Sequence, residues 1–570
     1  MKKRSLLLVL CAFYACMTYA YSFEEGSIYY SITSSANMTV SVTSGTEKYK
    51  GMYTIPEYVI HEGETYYVTG ISSSAFSGCT ELISVSFSSK SCVTSIGSSA
   101  FAGCNGMMSI TIPASVTSIA GSAFSGCKTL RTVIIEDSKT TLSLGQGSMK
   151  GSNYPLFADC PLTTFYWGRP LSYRSDYGFS PISNQFSLNN LTIGPNVTTI
   201  SAYMFSGNPK TTIELPETVT ALGDHAFDGF TNLTSFTIPK NITSIGEYAF
   251  ANCTGLTSLT IPTWISTINA GTFQNCTGLK SFVIPNNVTS IGNFAFNGCT
   301  SMTGVVFEEG DEVLTLGYNN YQSNRTEPEG RGLFFDCPLV STFIGRPLSY
   351  STKERSGYSP FARIETLTKA HFGNPLKAIP DYLFYSVKNL KTIVYNENCK
   401  LESIGKYAFG DCKSLPTQEL HNTITVIDEG AFSNCVLFTD FDLPENLMTI
   451  GSHAFENCTG LTTLKIPATT KSIGNYAYNG CDGLTSVTVK WTKPVTIYSE
   501  TFSNRTNAVL EVPHGSVADY KAANYWKEFK VIIEMGEDPV YVLKGDVNGD
   551  GVLSAQDASL ILQKVAGKIK

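Results

Sequence analysis

The chain has 570 residues, of which 42% are hydrophobic and only 15% charged, and its formal net charge is −7. That length accommodates several domains or one extended repeat array. No Lys/Arg run offers a surface for tracking phosphates, which argues against nucleic acid as a partner.

Residues 1–20 read as a secretory signal. Lys2, Lys3 and Arg4 precede the short apolar core "SLLLVLCAFYACM", and Thr18 and Ala20 supply the small residues of a cleavage site after Ala20. Phe13 and Tyr14 stand where a lipidated Cys16 would need small or aliphatic neighbours. No later run reaches the ~18 apolar residues of a membrane helix. The mature chain is therefore expected to be exported, either secreted or associated with the cell surface, with no membrane span. Residues 21–70 contain "SIYYSI", "MTVSVTS", "MYTIPEYVI" and "TYYVTGI", short alternating runs that read as a β cap.

A recurring "AFxxC" unit dominates residues 71–505. Phe227, Phe250, Phe273 and Phe296 lie 23 residues apart, and so do Phe409, Phe432, Phe455 and Tyr478. A fixed period of this size marks a solenoid. In one unit Leu256, Leu259 and Ile261 face inward on a strand that Pro262 ends, because proline has no N–H to donate. Val288 and Ile291 point in from "VTSIG", and Gly292 is expected to turn the chain. About seven apolar side chains per coil, at roughly 1.5–3 kcal/mol each, cannot close a core without stacked neighbours. Cys253, Cys276, Cys299, Cys412, Cys435, Cys458 and Cys481 then fall at one position per coil and read as a ladder of buried thiols. Cys92 and Cys399 lie outside that ladder and are expected to be the exposed ones.

The motif L-x-x-L-x-I-P-x-x-V-T-S-I-G-x-x-A-F-x-x-C resembles the BspA-like family of bacterial leucine-rich repeats over roughly residues 70–505, with "LTSLTI" (256–261) as the repeat core. The resemblance implies a secreted or surface-bound protein, and for some members adhesion to host matrix proteins, other bacteria or epithelial cells. The expected fold is a β-rich leucine-rich repeat solenoid of 23-residue coils, with little helix and a small C-terminal calcium loop–helix module.

The pattern breaks over 128–204 and 300–383, and "GRPLSY" occurs in both breaks, at 168–173 and 345–350. Trp167, Arg169, Tyr173 and Tyr177, with Arg346, Tyr350 and Tyr358 as their copy, are candidates for an aromatic and guanidinium patch that takes a glycan or peptide. The structural alternative is favoured: Ile182 precedes Phe205 by 23 residues and Phe361 precedes Phe384 by 23, so these segments fill ordinary coil slots. The polar insertions 145–154 and 317–332 are further binding candidates.

Residues 506–535 read as a strand–helix–strand cap, with Ser516 capping a helix that bears Val517, Tyr520, Ala523 and Trp526. Residues 536–544 form a linker. Residues 545–570 open on "GDVNGDGVLSAQD", which places Asp546, Asn548, Asp550, the Val552 carbonyl, Ser554 and Asp557 at the oxygen positions of a calcium loop, with Gly551 at the turn. Ca2+ is the one cofactor expected. With "ASLILQKVAGK" behind it, the loop resembles a single type I dockerin repeat. That likeness implies docking to a cohesin-like scaffold, as in complexes that degrade polysaccharides. A complete dockerin has two such repeats, and the usual cohesin-contacting Ser–Thr pair is Ala555–Gln556 here. Pairing between two chains is the alternative use of the tail. The six histidines form no metal spacing, and no nucleophile or phosphate-loop motif occurs, so catalysis is not expected. An extracellular protein or glycan is the expected ligand.

Overall fold

The computed structural model describes residues 21–145, 147–149, 152–176, 178–208, 213–318, 332–352 and 359–536. The chain divides into two compact units between Met302 and Thr303.

In the first unit the strands Phe23–Glu25, Ile28–Ser34 and Thr39–Val42 form an antiparallel meander. Thr39–Val42 then pairs in parallel with Glu64–Ile71, which pairs in parallel with the two-residue strand Ser95–Ile96. The cap thus converts hairpin pairing into the parallel ladder that the coils extend through Ser118–Ile119, Leu142–Leu144 and Leu171–Ser172. A second ladder joins Ser109–Ile112, Thr132–Ile135, Thr164–Trp167 and Asn190–Ile193, all parallel. In the second unit the equivalent strands are Gly304–Phe307, Ser341–Ile344, Lys369–Phe372 and Thr392–Tyr395. A further row runs from Asp440–Asp442 to Val531–Glu534.

Most coils bury one phenylalanine against the next, and Ile182 and Tyr478 take that slot in two of them. In the first unit Phe76, Phe101 and Phe124 stack at 5.0 and 5.3 Å with planes within 4°. In the second, Phe409, Phe432, Phe455 and Tyr478 stack at 5.3 to 5.5 Å. Tyr49 closes the first stack on Phe76, and Trp526 closes the last on Phe502. The breaks are lengthened coils rather than interruptions. Phe157 stacks on Phe124, and Phe334 stacks on Phe361, which stacks on Phe384. "LFADC" and "LFFDC" carry the same Phe-x-x-Cys signal as the regular coils. The insertion at 145–154 holds an antiparallel pair, Gly147–Met149 with Ser152–Tyr154.

Gly292 has a role other than the expected turn. A Cβ there would lie 2.4 Å from the Ala270 nitrogen of the preceding coil, so the residue is small because two backbones approach. The left-handed turn residue is Phe294, with φ 60°, and in other coils Tyr248 and Tyr476. The C-terminal cap also differs from expectation. Its helix spans only Val517–Ala522, Ser516 makes no side-chain cap bond, and Trp526 opens a separate 3-10 turn, Trp526–Glu528.

The cysteines of the described residues are free thiols. Their burial has a specific partner: Cys276 Sγ donates to the Phe250 carbonyl at 3.1 Å, and Cys458 Sγ donates to Phe432 at 3.3 Å. The other ladder thiols donate in the same way to the phenylalanine carbonyl one coil back. Burial pushes the Cys276 thiol up to about 12 from its ordinary 9.0. Cys399, expected to be exposed, is buried while Glu397, Asn398 and Lys400 around it stay exposed, and its N–H closes a turn on the Asn396 carbonyl at 3.0 Å. Cys92 is the only described cysteine that is not buried. Native alkylation with iodoacetamide at pH 8 is expected to label Cys92 and spare Cys276 and Cys458, and mass spectrometry reads the outcome. With folded thiols titrating above unfolded ones, the unfolded chain releases protons first, so stability should fall as pH climbs from about 9 toward 12.

Candidate interaction surfaces

The "GRPLSY" residues do not form a surface patch. Trp167, Arg169 and Arg346 are fully buried, which corrects their reading as ligand contacts. The Arg169 guanidinium reaches two turns back along the array. Nη1 donates to the carbonyls of Ala114 (3.0 Å) and Val116 (2.8 Å), and Nη2 to that of Pro113 (2.8 Å). Burial lowers its pKa, and the nearby Glu136 partly offsets this. Trp167 Nε1 donates to the Arg169 carbonyl at 2.5 Å. In the second unit Arg346 donates to the Glu312 carbonyl through Nε (3.2 Å) and Nη2 (3.0 Å).

The tyrosines of the motif reach forward instead. Tyr173 Oη donates to the Ala202 carbonyl at 2.6 Å, and Tyr350 Oη donates to that of Asp381 at 2.8 Å. Ser180 and Ser359 likewise bond Met204 and Leu383. The duplicated hexapeptide therefore staples neighbouring coils, as its structural alternative implies, and the sequence could not say so because the partners are backbone carbonyls. Tyr177 and Tyr358 lie outside the described residues, as do most of 317–332 and every calcium-loop residue: Asp546, Asn548, Asp550, Val552, Ser554 and Asp557.

The left-handed turns carry a half-buried aromatic row. His225 lies between Tyr203 (4.3 Å, 9°) and Tyr248 (4.8 Å, 6°), and its Nδ1 is 2.8 Å from Asp228 Oδ2. A bulky side chain at positive φ carries strain of about 1–3 kcal/mol, which ring stacking offsets.

The outward face of the second unit's sheet offers a different surface. Strand register aligns Val306, Phe343, His371 and Val394 side by side. Phe343 meets the His371 ring edge-to-face at 5.0 Å. His371 Nε2 donates to Asn396 Oδ1 at 2.7 Å, and Asn396 Nδ2 donates to Glu309 Oε1 at 2.9 Å. The ring is thus fixed on a rigid ladder. Sequence reasoning missed this row; the period-2 alternation of "KAHF" and "STFI" marks both residues as outward positions. No group of three or more His, Cys, Asp or Glu placed to hold a metal occurs among the described residues.

The family model described as a BspA type leucine rich repeat region matches residues 61–154, 146–230, 198–326 and 354–485. The chain belongs to the BspA-type leucine-rich repeat family. No curated protein matches it. Among solved structures it is similar to a leucine-rich repeat protein from Bacteroides ovatus, at 22% identity over 86% of this chain and 100% of that one, with a TM-score of 0.41. It is also similar to a leucine rich cell surface protein from Faecalibacterium prausnitzii, at 22% identity over 82% and 94%, with a TM-score of 0.31. The pneumococcal vaccine antigen PcpA is 16% identical over 90% and 98%, with a TM-score of 0.24. At such scores these likenesses add nothing to the argument on function. For the BspA-type repeat of this chain, the residues the family pattern names are core residues, so a binding face must be sought among the positions between them. Among the described residues no helix is long and apolar enough to cross a membrane.

Proposed function

We propose that this BspA-type chain is an exported, non-enzymatic adhesion protein that binds an extracellular protein through the outward face of its repeat sheet. The observation that carries the reading is the in-register row Val306–Phe343–His371–Val394, a rigid, partly apolar strip on an otherwise polar face. Aromatic groups fixed in this way bind with little loss of side-chain freedom. A pull-down of extracellular proteins with the mature chain tests it. The double variant Phe343→Ala/His371→Ala is expected to lose at least ten-fold in affinity for the captured partner while keeping its melting temperature. Equal capture by the variant would sink the proposal.

The C-terminal segment 545–557 supplies three Asp carboxylates, one Asn amide oxygen, one Ser hydroxyl and a backbone carbonyl in calcium-loop order. It holds no thiol or imidazole, so its donor set suits a hard cation. In this reading Asp546, Asn548, Asp550, Val552, Ser554 and Asp557 hold Ca2+, which orders the tail for docking to a cohesin-like scaffold or to a second chain. Calorimetric titration with CaCl2 is expected to show one site that Asp546→Ala/Asp550→Ala abolishes. Size-exclusion chromatography with calcium and with chelator separates the two partners: a chelator-sensitive dimer favours self-pairing, and a monomer in both favours the scaffold.

A further inference from the structure

The outward sheet of the first unit is split. Leu82–Phe87 pairs with Gly51–Ile55, and Ser109–Ile112 pairs with Thr132–Ile135, but no hydrogen bond joins Leu82–Phe87 to Ser109–Ile112 among the described residues. Phe87 to Val93 spans two residues more than Ile112 to Val116, with "SSKSC" in place of "PAS". The longer segment closes its own turn, with Ser91 N–H bonding the Ser88 carbonyl at 2.9 Å, and does not follow the neighbouring coil.

The split opens a cleft of about 600 Å³. Its floor exposes backbone. Ser88 donates to Ile55 and Glu136 to Ile112, which turns alternate residues of each strand toward their own partners. The N–H and C=O groups of Val85, Phe87, Ser109 and Thr111 are left facing the gap. Ser86, Ser109 and Thr111 project from the floor, and Ser89 and Ser115 stand on the walls. The Ser115 hydroxyl is buried without a partner.

The far wall is held in place. Arg169 bonds the carbonyls of Pro113, Ala114 and Val116 from behind, and Glu136 Oε2 accepts from the Ala114 N–H at 2.9 Å. That leaves Glu136 Oε1 as the one charged atom available to an occupant. A volume of about 600 Å³ lies within the range of ligand sites, here with a lining mainly of hydroxyls.

We propose that this cleft binds a short neutral oligosaccharide. Its lining is rich in hydroxyls that both donate and accept, it has no cation for an anionic ligand, and its single carboxylate suits a pair of sugar hydroxyls. A peptide strand does not fit between the two edges. Their Cα atoms approach within 8 Å, whereas an inserted strand needs roughly 9.5 Å. The site is separate from the proposed protein-binding strip and stands without it.

The test is calorimetry and saturation-transfer NMR on the mature chain with cello-, xylo- and manno-oligosaccharides, and with a sulfated oligosaccharide as control. A neutral oligosaccharide is expected to bind. Thr111→Phe should weaken it at least ten-fold by filling the cleft. Ser109→Val, which keeps strand propensity, should weaken it several-fold without changing the melting temperature. Partner capture by the protein-binding strip should be unchanged in both variants. The proposal is overturned if no neutral oligosaccharide binds, if the sulfated control binds as tightly, or if both variants bind like the parent.

Discussion

Phe273→Ala is expected to destabilise the first unit by about 3–5 kcal/mol, the usual cost of emptying a phenylalanine-sized core site. The side chain is fully buried between Phe250 at 5.9 Å and Phe296 at 5.5 Å, with Phe282 at 5.1 Å from the adjoining strand. Deletion removes two stacking contacts at once, and the coils cannot close the void without breaking the register of Thr267–Ile268 on Ser290–Ile291. In a repeat array the loss spreads to nearest neighbours rather than to the whole chain. Hydrogen exchange should therefore show lost protection centred on the coils around 250–296, with the end caps unchanged. Uniform loss across the chain would contradict the nearest-neighbour picture.

Arg169→Ala is expected to cost about 3 kcal/mol, because it strips the Ala114 and Val116 carbonyls of their donor in a buried place and removes one of the two donors to Pro113. The Val116 N–H closes this turn on the Pro113 carbonyl at 3.1 Å, which leaves the Ala114 and Val116 carbonyls dependent on the guanidinium. Arg169→Lys should recover only part of the loss, since one ammonium cannot reach three acceptors in the geometry of a planar fork. Because these carbonyls hold the wall of the serine-lined cleft, hydrogen exchange in residues 113–118 should rise in Arg169→Ala before the global transition moves. A melting temperature unchanged in Arg169→Ala would show that water replaces the clamp.

Much of the fold was legible in the chain itself. The 23-residue spacing of Phe227, Phe250, Phe273 and Phe296 requires one aromatic per coil, and burial of Leu259 and Ile261 follows from period-2 alternation. The cysteine ladder was legible as buried for the same reason, though not its bond to the phenylalanine one coil back. The lengthened coils were harder. "LFADC" holds the ladder signal, but ten further residues before Phe157, relative to the regular spacing, hide the period.

The surfaces were less legible. A sequence period fixes distance along the chain, and a long side chain chooses partners in space. Arg169 bonds residues 53 to 56 positions earlier, and Tyr173 bonds one 29 positions later. Neither separation is a repeat length, so an exposed patch and a buried staple looked alike. The sequence by itself determined the coil, its core and its BspA-type character, because these depend on local alternation repeated many times. Only the tertiary structure decided that Arg169 and Arg346 lie inside and that the first unit's sheet splits beside Ser109. Both outcomes turn on where one coil falls against another, which spacing along the chain does not state.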